Sequence, residues 1–446
     1  MSKNLDILVE EAHFLPEALR IKYFDIVLDH GRGALLYDVD GREYIDLLAS
    51  ASSANTGHCH PRVVRAIQEQ AERLIHYTPA YFANDMASAL LKRLAELAPG
   101  DFPKKVSLGN SGSDANDALI KFARGYTGRP YIISFTGAYH GSTYGSLTLS
   151  GVSLNMARKI GPLLPDVVKM PYPDTHMMLP GESEHDFAGR LWQIFEQPFE
   201  NWLPAEEVAA VVIEPIQGDG GIIAAPGEYL RRLYDFAHAH GILFAVDEIN
   251  QGLGRTGRLW SVDNFGLAPD MISVGKSIAS GMPLSALIGR AEIMDSLAAP
   301  ANVYTTTGNP ICAAAALATL DVIRDERLVE RSARLGAHAR EFFLGMRGKY
   351  DFIGDVRFYG LNGGIDIVGK NGKPDVAAAT EIIYNLFKLG VIMISLRGNI
   401  LRFQPPLVIT ESQLDEAFSR IERTFGMLAA GELQLPDNAG SVGWVK

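Results

Sequence analysis

The chain has 446 residues, of which 47% are hydrophobic and 21% are charged, with a formal net charge of −11. This composition is close to that of an average globular protein, and it excludes a disordered chain, a fibrous repeat and a coiled coil. The acidic balance argues against nucleic acid or an anionic membrane as the main partner.

The two cysteines, Cys59 and Cys312, cannot form a disulfide framework, which favours a reducing, cytoplasmic location. We find no secretory signal and no apolar run near the ~20 residues of a membrane span. The length allows either three domain-sized units or one large domain with a smaller one.

The first elements in chain order are a hairpin and a helix. Tyr37–Leu48 alternates around Asp40-Gly41, which predicts a β-hairpin. Pro61 opens a predicted helix. Its apolar positions recur at helical spacing, at Val64, Ile67, Ala71 and Leu74.

A Gly/Ser turn, Ser111-Gly112-Ser113, comes next and opens a second predicted helix, with Ser113 as the expected N-cap. Free backbone N–H groups, hydroxyls and the positive end of the helix dipole together suit an anion, usually a phosphate. The alternative is an ordinary helix cap that binds nothing.

Three apolar runs then end in polar residues. They are Ala209–Ile213 before Glu214, Ile242–Val246 before Asp247, and Met271–Val274 before Gly275-Lys276. Helical patterns lie between the runs, which predicts an α/β fold with a mostly parallel, doubly wound sheet. Ligands of such sheets bind at the carboxyl ends of the strands, so the polar residues are expected at the site.

The pattern changes after about residue 325. Ile353–Val368 and Val391–Phe403 are typical of strands in a smaller sheet, and helices are predicted at 376–389 and 411–428. We therefore expect a large domain over 56–325 and a small α+β domain over 326–446, to which residues 1–55 contribute.

The chemistry of these residues points to one cofactor when they are taken together. A strand-end carboxylate such as Asp247 can simply be solvated, and Lys276 alone can be an ordinary surface lysine. A buried lysine amine, however, is a nucleophile suited to Schiff bases. With a phosphate cradle and a carboxylate, it meets the requirements of pyridoxal phosphate, whose ring acts as an electron sink.

Longer motifs carry a family resemblance over residues 33 to 424, among them GNSGSDANDALIKFAR, VVIEPIQGDGGI, FAVDEINQGLGRTG, VGKSIASGMPLSALIG and LRFQPPLVIT. The chain resembles the class III (subgroup II) branch of fold-type-I pyridoxal-phosphate enzymes, which includes ornithine and 4-aminobutyrate aminotransferases. The resemblance implies that Lys276 is the Schiff-base lysine and that Asp247 pairs with the pyridine nitrogen. It also implies that Gly112 and Ser113, with Ser111 beside them, hold the phosphate.

The resemblance assigns five further residues. Tyr139 would stack on one face of the cofactor ring, and Ile249 would pack on the other. Glu214 would hold the polar network of the site, and Arg402 would bind the substrate carboxylate by a bidentate pair. Thr305 would reach the phosphate of a neighbouring subunit, which implies at least a homodimer and favours a tetramer.

Other candidate residues receive no catalytic role from the sequence. His140 is expected to be a structural histidine, and the role of Arg397 near the carboxylate site stays open. His58 and His60 lack further ligands at zinc spacing, so we expect no metal site. The GLGRTG segment at 252–257 does not open a clear helix, which argues against a dinucleotide loop.

Two positions depart from the aminotransferases of this branch. Asp219 stands where they usually have glutamate, and Asn250 replaces a glutamine that contacts the cofactor's phenolic oxygen. With the flanking motifs, these residues resemble amino-acid racemases of the same branch, in particular the 2-epimerases that act on isoleucine. Racemisation needs an acid/base group on each face of Cα. Lys276 would serve one face and Asp219 the other, with Tyr139 as the alternative to Asp219.

The sequence therefore predicts a pyridoxal-phosphate racemase or epimerase that inverts Cα of branched or apolar amino acids. The alternative is an aminotransferase of the same family that takes an ω-amine donor. A regulatory or structural protein would not need an intact lysine and aspartate, and Lys276 and Asp247 are both present.

Overall fold

The computed structural model describes residues 2–433 and 435, and its strands number seventeen over that part of the chain. In chain order they are β1 Leu28–Arg32, β2 Leu35–Asp38, β3 Glu43–Asp46, β4 Lys104–Gly109, β5 Tyr131–Phe135, β6 Val167–Met170, β7 Val208–Ile213, β8 Ile216–Gln217, β9 Ile223–Ala224, β10 Leu243–Asp247, β11 Met271–Val274, β12 Ser285–Arg290, β13 Ile353–Phe358, β14 Gly363–Ile367, β15 Val391–Ile392, β16 Ile394–Leu396 and β17 Ile400–Phe403.

The α-helices are likewise given in chain order. They are α1 Lys3–Glu11, α2 Ala49–Ser52, α3 Pro61–Arg73, α4 Asp85–Leu97, α5 Gly112–Thr127, α6 Tyr144–Leu149, α7 Glu184–Asn201, α8 Gly227–Ala239, α9 Ala291–Met294, α10 Pro310–Asp325, α11 Leu328–Lys349, α12 Val376–Lys388 and α13 Glu411–Ala429. Within the described residues, no helix has both the length and the apolar character that crossing a bilayer requires.

The chain divides into two compact units. The central unit comprises Arg62–Leu253 and Arg258–Arg324. The flanking unit comprises the chain up to Pro61, the four residues Gly254–Gly257, and the chain from Asp325 onward.

The central unit is built on a seven-stranded sheet in the order β4-β12-β11-β10-β7-β5-β6. Strands β11, β10, β7, β5 and β6 run parallel, and β12 pairs antiparallel with both β11 and β4. All six residues of β7 are buried, as expected for a strand in the middle of a sheet covered on both faces. This architecture confirms the predicted α/β class with a mostly parallel sheet.

Helix α5 packs on this sheet through a continuous apolar face. Its Leu119, Phe122 and Ala123 share a buried cluster with sheet residues such as Val212 and Ala245. The helix therefore has a fixed position, and its N-terminus is held beside the carboxyl ends of the strands.

The flanking unit contains two four-stranded sheets, β1-β2-β3-β15 and β13-β14-β17-β16. The predicted hairpin is present as β2 and β3, with Gly41 in the left-handed region at φ 82°. The predicted C-terminal helices are α12 and α13, and Thr410 and Gln413 form a capping box at the start of α13.

Arg255 is the buried centre of the four-residue segment Gly254–Gly257. Its guanidinium donates to Ser52 Oγ at 3.0 Å, to Asn55 Oδ1 at 2.6 Å, and to the carbonyl oxygens of Leu361 and Pro405. The GLGRTG segment thus supplies an arginine that ties together distant parts of the flanking unit.

Helix α3 begins at Pro61, as the sequence predicts, and ends at Arg73. Its buried residues are Val63 and Gln70, whereas Val64 and Ile67 are partly buried. Leu74, the last apolar position of the predicted pattern, lies beyond the helix end and is 41% exposed. The predicted helix is therefore present, but its predicted apolar positions are not its buried ones.

Candidate active site

Asp247 closes β10 and is fixed by three hydrogen bonds. Its Oδ1 accepts from the backbone N–H of Ile249 at 2.9 Å. Its Oδ2 accepts from Asn116 Nδ2 at 2.8 Å and lies 2.7 Å from His140 Nδ1. The carboxylate is buried, so its orientation is set by these partners rather than by water.

The sequence analysis missed His140 and Asn116 as parts of this site. Asn116 is a fully buried polar residue on the apolar face of α5, and such a residue is a recognisable signal because it needs a buried partner. His140 was taken as structural, yet it lies within hydrogen-bond distance of the carboxylate that the motif assigns to the cofactor.

The charges around Asp247 shift the pKa of its neighbours. Burial disfavours the His140 cation, but the hydrogen bond and charge of Asp247, together with Glu214, raise the pKa of His140 above its ordinary value. Burial also raises the pKa of Glu214 to about 7, with His140 opposing and Asp247 and Asp219 adding to the shift. Perturbed groups gathered at strand ends are a feature of functional sites.

Lys276 begins a short 3-10 helix, Lys276–Ala279, directly after β11. Its φ of 46° lies in the left-handed region, where a non-glycine residue is uncommon. The side chain is half-buried, and Nζ lies 6.0 Å from the centroid of the Tyr139 ring. The structure thus places the predicted Schiff-base lysine opposite the predicted stacking residue.

The N-terminus of α5 carries the predicted phosphate-binding residues. The N-cap is Ser111, whose Oγ accepts from the N–H of Asp114 while the Asp114 carboxylate accepts from Ser111 N. Our assignment of the cap to Ser113 was therefore wrong, because the capping box with Asp114 selects Ser111. Ser113 Oγ instead accepts from the N–H of Ser142 at 3.0 Å.

Two glycines bring the backbone close to Ile249. A Cβ at Gly112 would lie 2.8 Å from Ile249 Cδ1, and one at Gly275 would lie 3.4 Å from Ile249 Cγ2. The predicted packing residue is thus held between the phosphate-binding turn and the residue before Lys276.

These groups suit pyridoxal phosphate. Lys276 would supply an amine for the aldehyde, Asp247 a buried carboxylate for the ring nitrogen, and the N-terminus of α5 backbone N–H groups for the phosphate. The side chains of Tyr139 and Ile249 would supply surfaces for a flat ring.

Asp219 lies on a tight loop, Gly218–Ile222, which we call the Asp219 loop. The carbonyl oxygen of Gly218 accepts from the N–H groups of Gly221 at 3.0 Å and Ile222 at 3.1 Å. Ile222 has a φ of 56°, a strained value for a β-branched residue. Asp219 is only 7% exposed, so its carboxylate is largely withdrawn from water.

Glu214 connects the Asp219 loop with the segment that carries Tyr139. Its Oε1 accepts from the N–H of Gly218 at 3.1 Å, and its Oε2 accepts from the N–H of Tyr139 at 3.2 Å. Asn250 is also buried, and its side chain lies against Gly218.

The remaining predicted residues lie as follows. Thr305 is exposed in the central unit, and its carbonyl oxygen accepts from His76 Nε2 at 3.0 Å. Arg402 lies buried on β17 of the flanking unit, where its Nε donates to Gln404 Oε1 at 2.6 Å. Arg397 is exposed in the turn between β16 and β17.

The two histidines that the sequence analysis excluded as zinc ligands contact carboxylates in the flanking unit. His58 Nε2 lies 2.7 Å from Asp46 Oδ2, and His60 Nε2 lies 3.0 Å from Glu326 Oε1. Such pairs hold a histidine in place without a metal ion.

Known proteins match the chain over nearly its whole length. The aminotransferase class-III family model matches residues 19–425. Isoleucine 2-epimerase of Lentilactobacillus buchneri is 58% identical over 447 residues, covering 100% of this chain and 99% of that protein. Leucine/methionine racemase of Thermococcus litoralis is 40% identical over 430 residues, covering 96% and 97%.

A solved structure agrees with these relatives. Ornithine aminotransferase from Toxoplasma gondii superposes with a TM-score of 0.85 at 31% identity, covering 97% of each chain. The family and fold predicted from the motifs are confirmed, and so is the cofactor. The chain therefore belongs to the class-III aminotransferase family of pyridoxal-phosphate enzymes.

Proposed function

We propose that this enzyme inverts Cα of branched or apolar amino acids and converts L-isoleucine to D-allo-isoleucine. A relative with 58% identity is an isoleucine 2-epimerase, and one with 40% identity is a leucine/methionine racemase. Inversion at Cα leaves Cβ of isoleucine untouched, which is why the product is the allo isomer.

The observation that carries the proposal is the buried carboxylate of Asp219, on a loop held by Glu214. The same glutamate holds the backbone of Tyr139, whose ring faces Lys276 Nζ. Glu214 thus contacts the backbone of Gly218, next to Asp219, and the backbone of Tyr139, whose ring lies near Lys276 Nζ. An aminotransferase needs one group able to carry a proton, whereas a racemase needs two.

Pyridoxal phosphate, when bound, delocalises the electron pair left at Cα after its proton is removed. Lys276 would remove or return the proton on one face of Cα, and Asp219 would do so on the other. Asp247, held by Asn116 and His140, would keep the ring nitrogen protonated. Arg402 would bind the substrate carboxylate by a bidentate pair, which favours free amino acids as substrates.

We further propose that the enzyme is at least a homodimer. Ile75, Tyr81 and Phe82 are 65–75% exposed on the segment before α4, an apolar surface of the kind found at interfaces. Asn309 Nδ2 donates to the carbonyl oxygen of Ile75, which keeps this surface next to the loop of Thr305. A second subunit packed on this apolar surface would place Thr305 beside the active site of that subunit.

The proposed reaction is tested with purified enzyme, added pyridoxal phosphate and L-isoleucine, without a keto acid. Chiral chromatography follows the formation of D-allo-isoleucine over time. Accumulation in catalytic excess over enzyme is the expected result. No product without a keto acid, followed by turnover after a keto acid is added, would establish an aminotransferase instead.

A further inference from the structure

Asn250 and Gly218 are in tight contact in the central unit. A Cβ built on Gly218 would lie 2.9 Å from Asn250 Cγ and 3.1 Å from Asn250 Oδ1. The Asn250 side chain thus occupies the space beside the Gly218 Cα atom, one residue before Asp219. The two departures from the aminotransferase pattern therefore lie at the same place in the fold.

The rest of the Asp219 loop has no room to adjust. A Cβ at Gly220 would lie 2.2 Å from Gln217 Oε1 and 2.7 Å from the carbonyl oxygen of Gly137. Gly218 is held at its N–H by Glu214 and at its carbonyl oxygen by Gly221 and Ile222. Asp219 therefore follows any displacement of Gly218, because the residues on both sides of it are closely packed.

We propose that Asn250 is a positioning residue that sets the location of the Asp219 carboxylate through Gly218 and so favours inversion of Cα over amino transfer. This rests on the function proposed above. A glutamine at position 250 carries one more methylene into the space beside Gly218, which is too small even for a Cβ on Gly218, so we expect it to displace Gly218. A displacement of about 1 Å from a catalytic geometry costs on the order of 10²-fold in rate.

A second role of Asn250 has to be separated from this one. The family resemblance implies that residue 250 contacts the phenolic oxygen of the cofactor. A change in that contact alters the cofactor itself, so it affects proton removal from both faces of Cα alike. A displaced Asp219 affects one face only, because Lys276 serves the other.

The test measures exchange of the Cα hydrogen with deuterated water, separately for L-isoleucine and D-allo-isoleucine, in the holoenzyme. We define the exchange ratio as the rate for the epimer that Asp219→Asn impairs, divided by the rate for the other epimer. Asn250→Gln should lower this ratio about 10- to 100-fold. When Asp219→Asn is already present, adding Asn250→Gln should lower the exchange ratio no further, because Asn250 is proposed to act through Asp219 and the effects of coupled residues do not add.

Gly218→Ala provides an independent variant that produces the same clash from the other side. It should lower the exchange ratio as Asn250→Gln does. The double variant Gly218→Ala/Asn250→Ala removes the contact with Asn250 and leaves Gln251 Nε2 at 3.2 Å, the flexible end of a side chain, so it should restore the ratio. Circular dichroism and the visible absorbance of bound cofactor verify that each variant is folded and loaded.

The outcomes separate this inference from the proposed function. If Asn250→Gln slows exchange equally for both epimers, or if the double variant fails to restore the ratio, the positioning role of Asn250 is wrong. If Asp219→Asn does not favour one epimer over the other, the two-base function is wrong, and the inference falls with it.

Discussion

The cofactor end of the site and the Asp219 loop are built in opposite ways. Asp247 ends a regular strand, and its partners Asn116 and His140 come from a helix and the segment after a strand. The Asp219 loop contains a β-branched residue at positive φ, Ile222, which costs on the order of 1–3 kcal/mol. Both regions contain a non-glycine residue at positive φ, since Lys276 has a φ of 46°, but only the Asp219 loop places a β-branched side chain there, which is the costlier case.

Replacing Lys276 should have the largest effect, because this residue acts both at the cofactor end of the site and as one of the two proposed proton carriers. Lys276→Ala removes the amine that binds the cofactor and one of the two proton carriers, so activity should fall on the order of 10⁴-fold or more. Lys105→Ala, at an exposed lysine paired with Asp295, is the matched control. Survival of the visible absorbance of lysine-linked cofactor in Lys276→Ala would show that the lysine is wrongly assigned.

Replacing Asp219 should affect the function of the Asp219 loop and leave the cofactor end of the site intact. Asp219→Asn keeps the size of the side chain but cannot carry the proton, so racemisation should fall about 10²- to 10⁴-fold. A single round of amino transfer to added cofactor should persist for the epimer, L-isoleucine or D-allo-isoleucine, whose Cα proton Lys276 removes, because Lys276 and Asp247 are intact. Racemisation is followed by chiral chromatography and amino transfer by the cofactor spectrum, with each epimer in turn. Full racemisation in both directions would transfer the role to Tyr139, for which Tyr139→Phe is the corresponding test.

Changing His140 sharpens the account of the cofactor end. His140→Gln weakens the hold on Asp247, and hydrogen bonds to charged groups contribute about 1.5–3 kcal/mol. Cofactor binding, measured by titration of the apoenzyme, should therefore weaken by roughly tenfold or more. His238→Gln is the matched control, since His238 contacts Asp270 elsewhere in the central unit. Equal losses in the two variants would deny His140 a specific role.

The pH dependence of stability should show the smallest of these effects. Burial raises the pKa of Glu214 and of Glu248 from 4.5 to about 7. Between these values each group is protonated when folded and ionised when unfolded, so rising pH lowers the free energy of unfolding. For each glutamate, the free energy of unfolding should fall by on the order of 2 kcal/mol between about pH 5 and about pH 8.

Two glutamine variants test the contribution of each glutamate to this pH dependence. The free energy of unfolding, measured with urea at about pH 5 and about pH 8, should depend less on pH in Glu214→Gln and in Glu248→Gln than in the unchanged enzyme. The Glu248 carboxylate accepts from the backbone N–H groups of Ser261 and Val262 and from Ser261 Oγ, none of which has a proposed role in the reaction. Glu248→Gln should therefore leave the pH profile of activity unchanged, whereas Glu214→Gln should alter it. An unchanged stability slope in both would mean that neither glutamate takes up a proton on folding.

The sequence predicted the strand ends because apolar runs closed by polar residues have a simple physical meaning. Asp247 and Lys276 were found in this way, and Ser111, Gly112 and Ser113 by the Gly/Ser turn. The choice of Ser111 over Ser113 as the cap depends on Asp114, one turn along the helix. His140 was missed because its partner lies 107 residues away. The strain at Ile222 was not predictable, since nothing in an isoleucine indicates positive φ.

The pairing of β3 with β15 has a consequence for how the chain is made. Ile45 of β3 lies opposite Val391 of β15 in a parallel pair, so β3 is synthesised long before the strand with which it pairs. At about 5–20 residues per second, the delay between the two strands is on the order of 20–70 s. During this time the edge of β3 is open to pairing with other nascent chains, so expression in cells should depend on chaperones that cover the amino-terminal segment.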